Sequence, residues 1–157
     1  MRLRTYRSLL TLGAAFGLIA ALFAGLEFYD LSLTAVCTVN AFFSCALIAE
    51  SGKTTTLGVQ DYLWGIGGFV AILLLAVAAE RRRRDARLAY LVLGVTTAGV
   101  AFAAYFLYVE LAEIGGLCPV CLTAYLCGVV AWIGALGLAR HAYRRRVAPA
   151  PTAADAA

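Results

Sequence analysis

Four long stretches of the chain lack charged residues, and none has the alternation of polar and apolar positions typical of strands. A spanning helix needs about 20 predominantly apolar residues to cross a hydrocarbon core about 30 Å thick. The stretches therefore predict transmembrane helices over about 8–26, 62–79, 88–109 and 117–139. Helices satisfy their own backbone hydrogen bonds, as lipid requires. The expected fold is an all-α integral membrane protein, a four-transmembrane-helix bundle over 1–146, with a disordered tail over 147–157.

A fifth uncharged stretch, 31–49, is interrupted by polar side chains that hydrocarbon would penalise. Its second half keeps several apolar residues, and Asn40 has the side chain of a helix N-cap. We interpret residues 40–51 as a short interfacial helix at the membrane surface. It would lie within an outer loop that spans 30–60.

Composition agrees with a membrane protein, because 63% of the 157 residues are hydrophobic and only 14% are charged. Soluble chains carry about 25% charged residues. Every arginine lies before the first helix, between the second and third, or after the fourth, while Lys53 lies on the opposite side. The positive-inside rule then predicts a multi-pass plasma-membrane protein with both termini cytoplasmic. This distribution also argues against nucleic acid as a partner, and the first apolar run is long for a cleaved signal peptide.

Four of the five cysteines fall on the extracytoplasmic side of this topology, where disulfides persist. Cys118 and Cys121 flank Pro119 at the start of the fourth helix, with Cys118 placed as an N-cap and Pro119 at the first helical position. Free N–H groups at a helix N-terminus stabilise a thiolate. This C-x-x-C pair therefore predicts thiol-disulfide exchange. Cys37 and Cys45, eight positions apart in the outer loop, suit either a mobile shuttle pair or a structural staple.

Two further residues follow the C-x-x-C pair on the same helix. Tyr125 lies one turn beyond Cys121 on the same face, so its hydroxyl would either hydrogen-bond the carbonyl of a lipid-soluble oxidant or belong to an interfacial aromatic belt. Cys127 points away from both cysteines and is expected to be a packing residue. A four-cysteine zinc site fits badly, because zinc pairs are usually spaced C-x2–4-C, and we expect no metal.

The order of these motifs resembles the vitamin K epoxide reductase family over roughly residues 9–139. The loop pair Cys37-x7-Cys45 is followed by Ser51, then by Leu63-Trp64-Gly65 at the start of a helix, then by the run from Cys118 to Tyr125. The resemblance implies a helix bundle around a quinone. It further implies that Cys118 and Cys121 are the active-site pair, with Cys121 contacting the quinone, and that Cys37 and Cys45 are the shuttle pair. It also implies Tyr125 as the quinone-bonding tyrosine, Asp61 at the quinone's other carbonyl, and Ser51 near the site.

The resemblance implies a quinone-dependent thiol-disulfide oxidoreductase. A separate thioredoxin-like protein would be oxidised outside the cytoplasm, and electrons would pass to a membrane quinone of the menaquinone, ubiquinone or vitamin K type. We expect a prokaryotic homologue without a fused thioredoxin-like domain. Three alternatives stay open. The first is an oxidase like the bacterial disulfide-bond protein B, although its cysteine pairs occur in the reverse order, and the second is a membrane protein with structural disulfides. The third is a transporter, which the lack of charge within the spans disfavours.

Overall fold

The computed structural model of the protein describes residues 3–30, 37–82 and 85–147. Its elements are α1 (Leu3–Tyr29), α2 (Cys45–Glu50), β1 (Thr55–Thr56), β2 (Val59–Gln60), α3 (Asp61–Arg81), α4 (Ala86–Tyr108), a π-helical turn (Val109–Ile114) and α5 (Pro119–Val147). The predicted tail lies outside the described residues, except for Val147 at the end of α5.

The prediction of an all-α membrane protein with four spanning helices is confirmed. Among the described residues, α1, α3, α4 with its π-helical turn, and α5 are each long and apolar enough to cross a membrane. The helices run past the apolar stretches, however: α1 continues through Glu27 to Tyr29 and α5 continues to Val147. A charged side chain at the edge of an apolar stretch does not have to end a helix, because the backbone hydrogen bonds continue past it.

Small residues bring α1 and α5 close together in the middle of the bundle. A Cβ atom on Gly13 would lie 2.8 Å from the backbone nitrogen of Ala131, and one on Gly134 would lie 2.6 Å from that of Leu10. Ala14 beside them is fully buried. Close backbone approach at small residues is a common way for helices to associate in lipid, where apolar burial against a neighbour gains little.

The outer loop contains the expected short helix, but the predicted cap is wrong. α2 begins at Cys45, and the side chain of Ser44 accepts a hydrogen bond from the Leu47 backbone N–H at 3.2 Å. The Asn40 side chain instead accepts from the N–H groups of Phe42 and Phe43, which forms a turn ahead of the helix. Asparagine suits both positions, because its side-chain oxygen accepts from the backbone in either.

A backbone bridge fixes this loop against the start of α5. The Leu117 N–H donates to the carbonyl of Phe42 at 2.8 Å, and the Ser44 N–H donates to the carbonyl of Leu117 at 3.0 Å. Gly116 permits this approach, because a Cβ atom there would lie 3.1 Å from the Phe42 carbonyl oxygen. Since Ser44 directly precedes Cys45 and Leu117 directly precedes Cys118, their hydrogen bond brings the two cysteines side by side.

Candidate active site

Three cysteine sulfurs form a buried cluster at the end of the bundle where the 30–60 loop meets the start of α5, which is called the outer end. Cys37 and Cys45 are joined by a disulfide, and the Cys45 sulfur lies 3.1 Å from that of Cys118. All three residues are buried, and Val120, Ile48 and Cys121 pack around them. The loop pair therefore touches the C-x-x-C pair directly. Cys118 and Cys121 are not disulfide-bonded in this state.

The Cys118 sulfur caps the N-terminus of α5, as the sequence pattern indicates. The backbone N–H of Cys121 donates to this sulfur at 3.3 Å, and α5 begins at Pro119 directly after it. A hydrogen bond from the Cys121 side chain lowers the pKa of the Cys118 thiol below its ordinary value. The Cys121 backbone N–H lowers this pKa further, whereas burial opposes both. A thiol that ionises more readily is both an attacking group at neutral pH and a better leaving group.

Glu110 links the C-x-x-C pair to Tyr125. One carboxyl oxygen of Glu110 accepts from the Tyr125 hydroxyl at 2.7 Å, and the other accepts from the Cys118 backbone N–H at 3.2 Å. The side chain is only 4% exposed. Glu110 lies in the π-helical turn, and its backbone carbonyl accepts hydrogen bonds from the N–H groups of Gly115 and Gly116. Single π-helical turns within longer helices often occur at functional sites, and this one turns Glu110 inward.

Two further carboxyl groups face the same region. Glu27 is 4% exposed, and its Oε1 atom is buried without a hydrogen-bond partner among the described residues. Oδ1 of Asp61, at the start of α3, is likewise buried and unpartnered within that part of the chain. Potential ligand atoms of Glu27, Cys37 and Cys45 lie within 4.8 Å of one another. The two sulfurs are bonded to each other, however, and a metal requires free thiolates.

Two cavities meet at the C-x-x-C pair. The outer cavity, about 100 Å³, is bordered by Cys45, Cys118, Glu27 and Glu110. The inner one, about 170 Å³, lies between the helices and is lined mainly by apolar groups, including the stacked rings of Trp64 and Phe102. Both cavities share these residues: Ala24, Asp61, Tyr62, Phe106, Cys121 and Tyr125. The shared residues form the boundary between a polar sulfur site and an apolar chamber.

The structure brings most of the sequence-predicted residues together. Cys121, Tyr125 and Asp61 lie at the boundary of the two cavities. Ser51 is not among the residues that line either cavity, and its hydroxyl donates to the Ile48 carbonyl at 2.7 Å within the loop. Cys127 also lies outside both linings, at the close contact with Gly13.

Sequence reasoning missed Glu27 and Glu110 as site residues, because each was interpreted only as the end of an apolar stretch. A carboxyl group at such an edge is ordinarily solvated. Nothing in the linear pattern indicates that both side chains turn into the bundle. The one available signal is position: Glu110 lies eight residues before Cys118, and the intervening Gly115-Gly116 allows the chain to return toward it.

A helical membrane bundle in which a disulfide touches a C-x-x-C pair is the arrangement of a membrane thiol-disulfide oxidoreductase. The chain belongs to the vitamin K epoxide reductase family, whose family model matches residues 8–138. The protein is therefore a multi-pass membrane protein of a redox-enzyme family. No curated protein sequence matches the chain.

Proposed function

We propose that the protein oxidises the dithiol of a thioredoxin-like partner outside the cytoplasm and reduces a membrane quinone. The observation that carries this proposal is the 3.1 Å contact between the sulfurs of Cys45 and Cys118. It connects the loop disulfide to a C-x-x-C pair whose second cysteine borders an apolar chamber. Electrons that enter at the loop thus have an uninterrupted path of sulfurs into the bundle.

The first exchange takes place at the loop pair. A partner thiolate attacks Cys37, the Cys37–Cys45 bond breaks, and Cys45 leaves as a thiolate. The partner's second thiol then releases the partner as a disulfide, which leaves Cys37 and Cys45 as a dithiol. The loop sulfurs are buried in the present state, so this step requires the loop to open toward the partner.

The second exchange passes the electrons inward. Cys45 attacks Cys118 of an oxidised Cys118–Cys121 pair, Cys121 leaves as a thiolate, and Cys37 re-forms the bond to Cys45. The product has a loop disulfide and two free thiols at the helix start, which is the combination in this structure. The lowered pKa of the Cys118 thiol favours exchange at that sulfur in both directions.

The chamber residues suit a quinone. A bound quinone supplies a two-electron acceptor with a flat apolar ring and two carbonyl oxygens. Trp64 and Phe102 offer aromatic faces. The Tyr125 hydroxyl offers a polar contact, as does the Asp61 oxygen that has no partner within the described part of the chain, and Cys121 is the sulfur at the same boundary. We propose Tyr125 and Asp61 as the groups that hold the two carbonyls, with Asp61 carrying its proton. The role of Ser51 near the site stays a prediction, and its bonds within the loop support a part in shaping the loop.

We assign the redox cysteines to the extracytoplasmic side and both termini to the cytoplasm. Arg7 and Arg81 lie at the end of the bundle opposite the sulfur cluster, whereas the ion pair of Lys53 and Glu113 lies at the cluster's end. The positive-inside rule supports this orientation. Labelling of a Tyr143→Cys variant with a membrane-impermeant maleimide tests this orientation, because Tyr143 is exposed. The added cysteine should react in lysed cells and not in intact cells.

Turnover by the purified protein tests the function. Protein in nanodiscs, given a short-chain quinone and a small membrane-permeant dithiol, is expected to form hydroquinone, which its absorbance reports. Cys118→Ala should abolish this reaction, and Cys127→Ala should leave it near the wild-type rate. Absence of hydroquinone formation by the wild-type protein with every quinone class would contradict the proposal.

Choice of the electron donor separates the two cysteine pairs. Cys37→Ala should prevent oxidation of a thioredoxin-like protein while it spares turnover with the small dithiol, which reaches Cys118 and Cys121 directly. Equal losses with both donors would exclude a shuttle role for the loop pair.

A further inference from the structure

The hydrogen bond between Tyr125 and Glu110 determines which group receives the Tyr125 phenol proton. A phenol has one proton, and here that proton is donated to the Glu110 carboxyl at 2.7 Å. A tyrosine engaged in this way cannot also donate to a quinone carbonyl. Tyr125 therefore donates into the chamber only when Glu110 ceases to accept from it.

Protonation of Glu110 reverses the direction of this hydrogen bond. A neutral carboxylic acid has one O–H donor, which can donate to the Tyr125 oxygen and free the phenol proton for the chamber. Glu110 is 4% exposed, and the ion pairs between described residues, Arg7 with Glu80 and Lys53 with Glu113, do not involve it. An ionised carboxylate is costly to bury without a cation, so a neutral state is accessible to this side chain.

We propose that Glu110 is the proton carrier between the C-x-x-C thiols and Tyr125, and that quinone reduction requires it in its protonated form. The proposal rests on the function proposed above and assigns it a proton path. Glu110 contacts both ends of this path, since its carboxyl group shares a hydrogen bond with the Cys121 side chain and another with the Tyr125 hydroxyl. The backbone N–H of Cys118 holds the carboxyl group in this position.

The protons and electrons balance along this path. Formation of the Cys118–Cys121 disulfide releases two electrons and two protons, and hydroquinone formation takes up the same number. One thiol proton passes to Glu110 while Glu110 passes its own proton to Tyr125, and Tyr125 gives the phenol proton to one oxygen of the quinone. The second thiol proton reaches the other oxygen through the carboxyl group of Asp61, which borders the same cavities.

The ionisable groups that face Glu110 from the surrounding elements favour this role. Glu27 on α1, Asp61 on α3, and the two thiols of Cys118 and Cys121 at the start of α5 border the outer cavity with it. Lys53 borders that cavity too, but its ammonium group lies 2.7 Å from the Glu113 carboxylate and is thereby engaged at the surface. Acidic neighbours in a buried site disfavour a further negative charge on Glu110.

Infrared spectroscopy of the quinone-free protein tests the protonation without turnover. The wild-type protein should have a carboxylic-acid C=O band that disappears in Glu110→Gln and persists in Glu113→Gln, a control on the same π-helical turn. Tyr125→Phe should shift this band, because it removes the hydrogen-bond partner. A band unaffected by both Glu110→Gln and Tyr125→Phe would overturn the proposal.

Kinetics test the proton transfer itself. Glutamine keeps a donor and an acceptor but carries no transferable proton, so Glu110→Gln should lower kcat about 100-fold and change KM for the quinone by less than about threefold. Its kcat should also lose the fall at high pH that marks ionisation of Glu110 in the wild type. Glu110→Asp should recover part of kcat and the pH dependence.

The outcomes distinguish this proposal from the one on which it rests. Wild-type turnover together with an unchanged kcat and pH profile in Glu110→Gln would exclude the relay and leave quinone reduction intact. A rise in KM alone would assign Glu110 to binding instead of proton transfer, and would equally overturn the relay. Absence of wild-type turnover would count against the proposed function, while the infrared result would still report the state of Glu110.

Discussion

The middle of the bundle and its outer end are held together in different ways. In the middle of the bundle, α1 and α5 meet at glycine and alanine, with Ala14, Ala131 and Ala135 fully buried and no space at Gly134 for a methyl group. At the outer end, the contacts are a disulfide, a backbone bridge, and hydrogen bonds to a buried carboxyl. The contact between α1 and α5 is close-packed and apolar, whereas the outer end contains two cavities, the buried carboxyl groups of Glu27 and Glu110, and a buried oxygen of Asp61.

This contrast indicates that one region stabilises the fold and the other carries the reaction. Close packing at small residues gives the helices a fixed relation to one another. The outer end can then hold groups that are costly to bury, such as Glu27 and Asp61, each with an oxygen that no described residue contacts by a hydrogen bond. Changes in the first region should therefore reduce the amount of folded protein, while changes in the second should alter the reaction and leave the fold.

The largest effect on the reaction should come from Cys121→Ala. Without this sulfur the C-x-x-C pair cannot form its disulfide, so turnover with any dithiol should fall about 1,000-fold or more. Thermal unfolding followed by intrinsic fluorescence should change little, because Cys121 lines cavities instead of the packed core. A large drop in the unfolding temperature would contradict the inference that the outer end contributes little to the stability of the fold.

The largest effect on stability should come from Gly134→Ala. The new methyl group would lie 2.6 Å from the backbone of Leu10 and of Tyr6, and overpacking of this kind costs about 1–3 kcal/mol. Gly94→Ala on α4 is the matched control, since its Cβ would meet no atom within 4 Å among the described residues. The free energies of unfolding of the two variants are compared in mixed micelles. Equal values would contradict the close contact at Gly134.

A smaller effect concerns the pH dependence of Cys118. Because its pKa is lowered first by the hydrogen bond from Cys121, the thiolate persists to a lower pH than that of an ordinary thiol, whose pKa is about 8.5. The rate of alkylation of Cys118, followed by mass spectrometry, should reach half its maximum at a lower pH than that of a cysteine in a short model peptide. Cys121→Ala should move the midpoint upward, and an unchanged midpoint would remove Cys121 as the cause.

The smallest effect should come from the ion pair that closes the outer end. Lys53 and Glu113 are both about half exposed, and exposed pairs contribute about 0–1 kcal/mol. Lys53→Gln should lower the free energy of unfolding by no more than this amount, and the difference should shrink at high salt. A loss above about 2 kcal/mol would mean that the loop stabilises the fold far more than the contacts at its surface indicate.

The fold followed from the sequence because a bilayer imposes it. Four apolar runs of sufficient length have no alternative to spanning helices in lipid. The cysteine spacing with Pro119 likewise predicts the sulfur cap on α5, since a helix N-terminus is a local structure. The prediction of Asn40 as a cap was wrong because Ser44 lies where the chain turns into α2.

Only the tertiary structure decided which groups meet. The bridge between Phe43 and Leu117 sets Cys45 against Cys118, and no local pattern encodes a pairing between segments more than 70 residues apart. The inward turn of Glu110 has the same origin, since a carboxyl at the edge of an apolar run is solvated unless distant groups surround it. Local patterns determined the helices and indicated thiol-disulfide exchange at the cysteines, whereas the packing of distant segments determined which side chains contact one another.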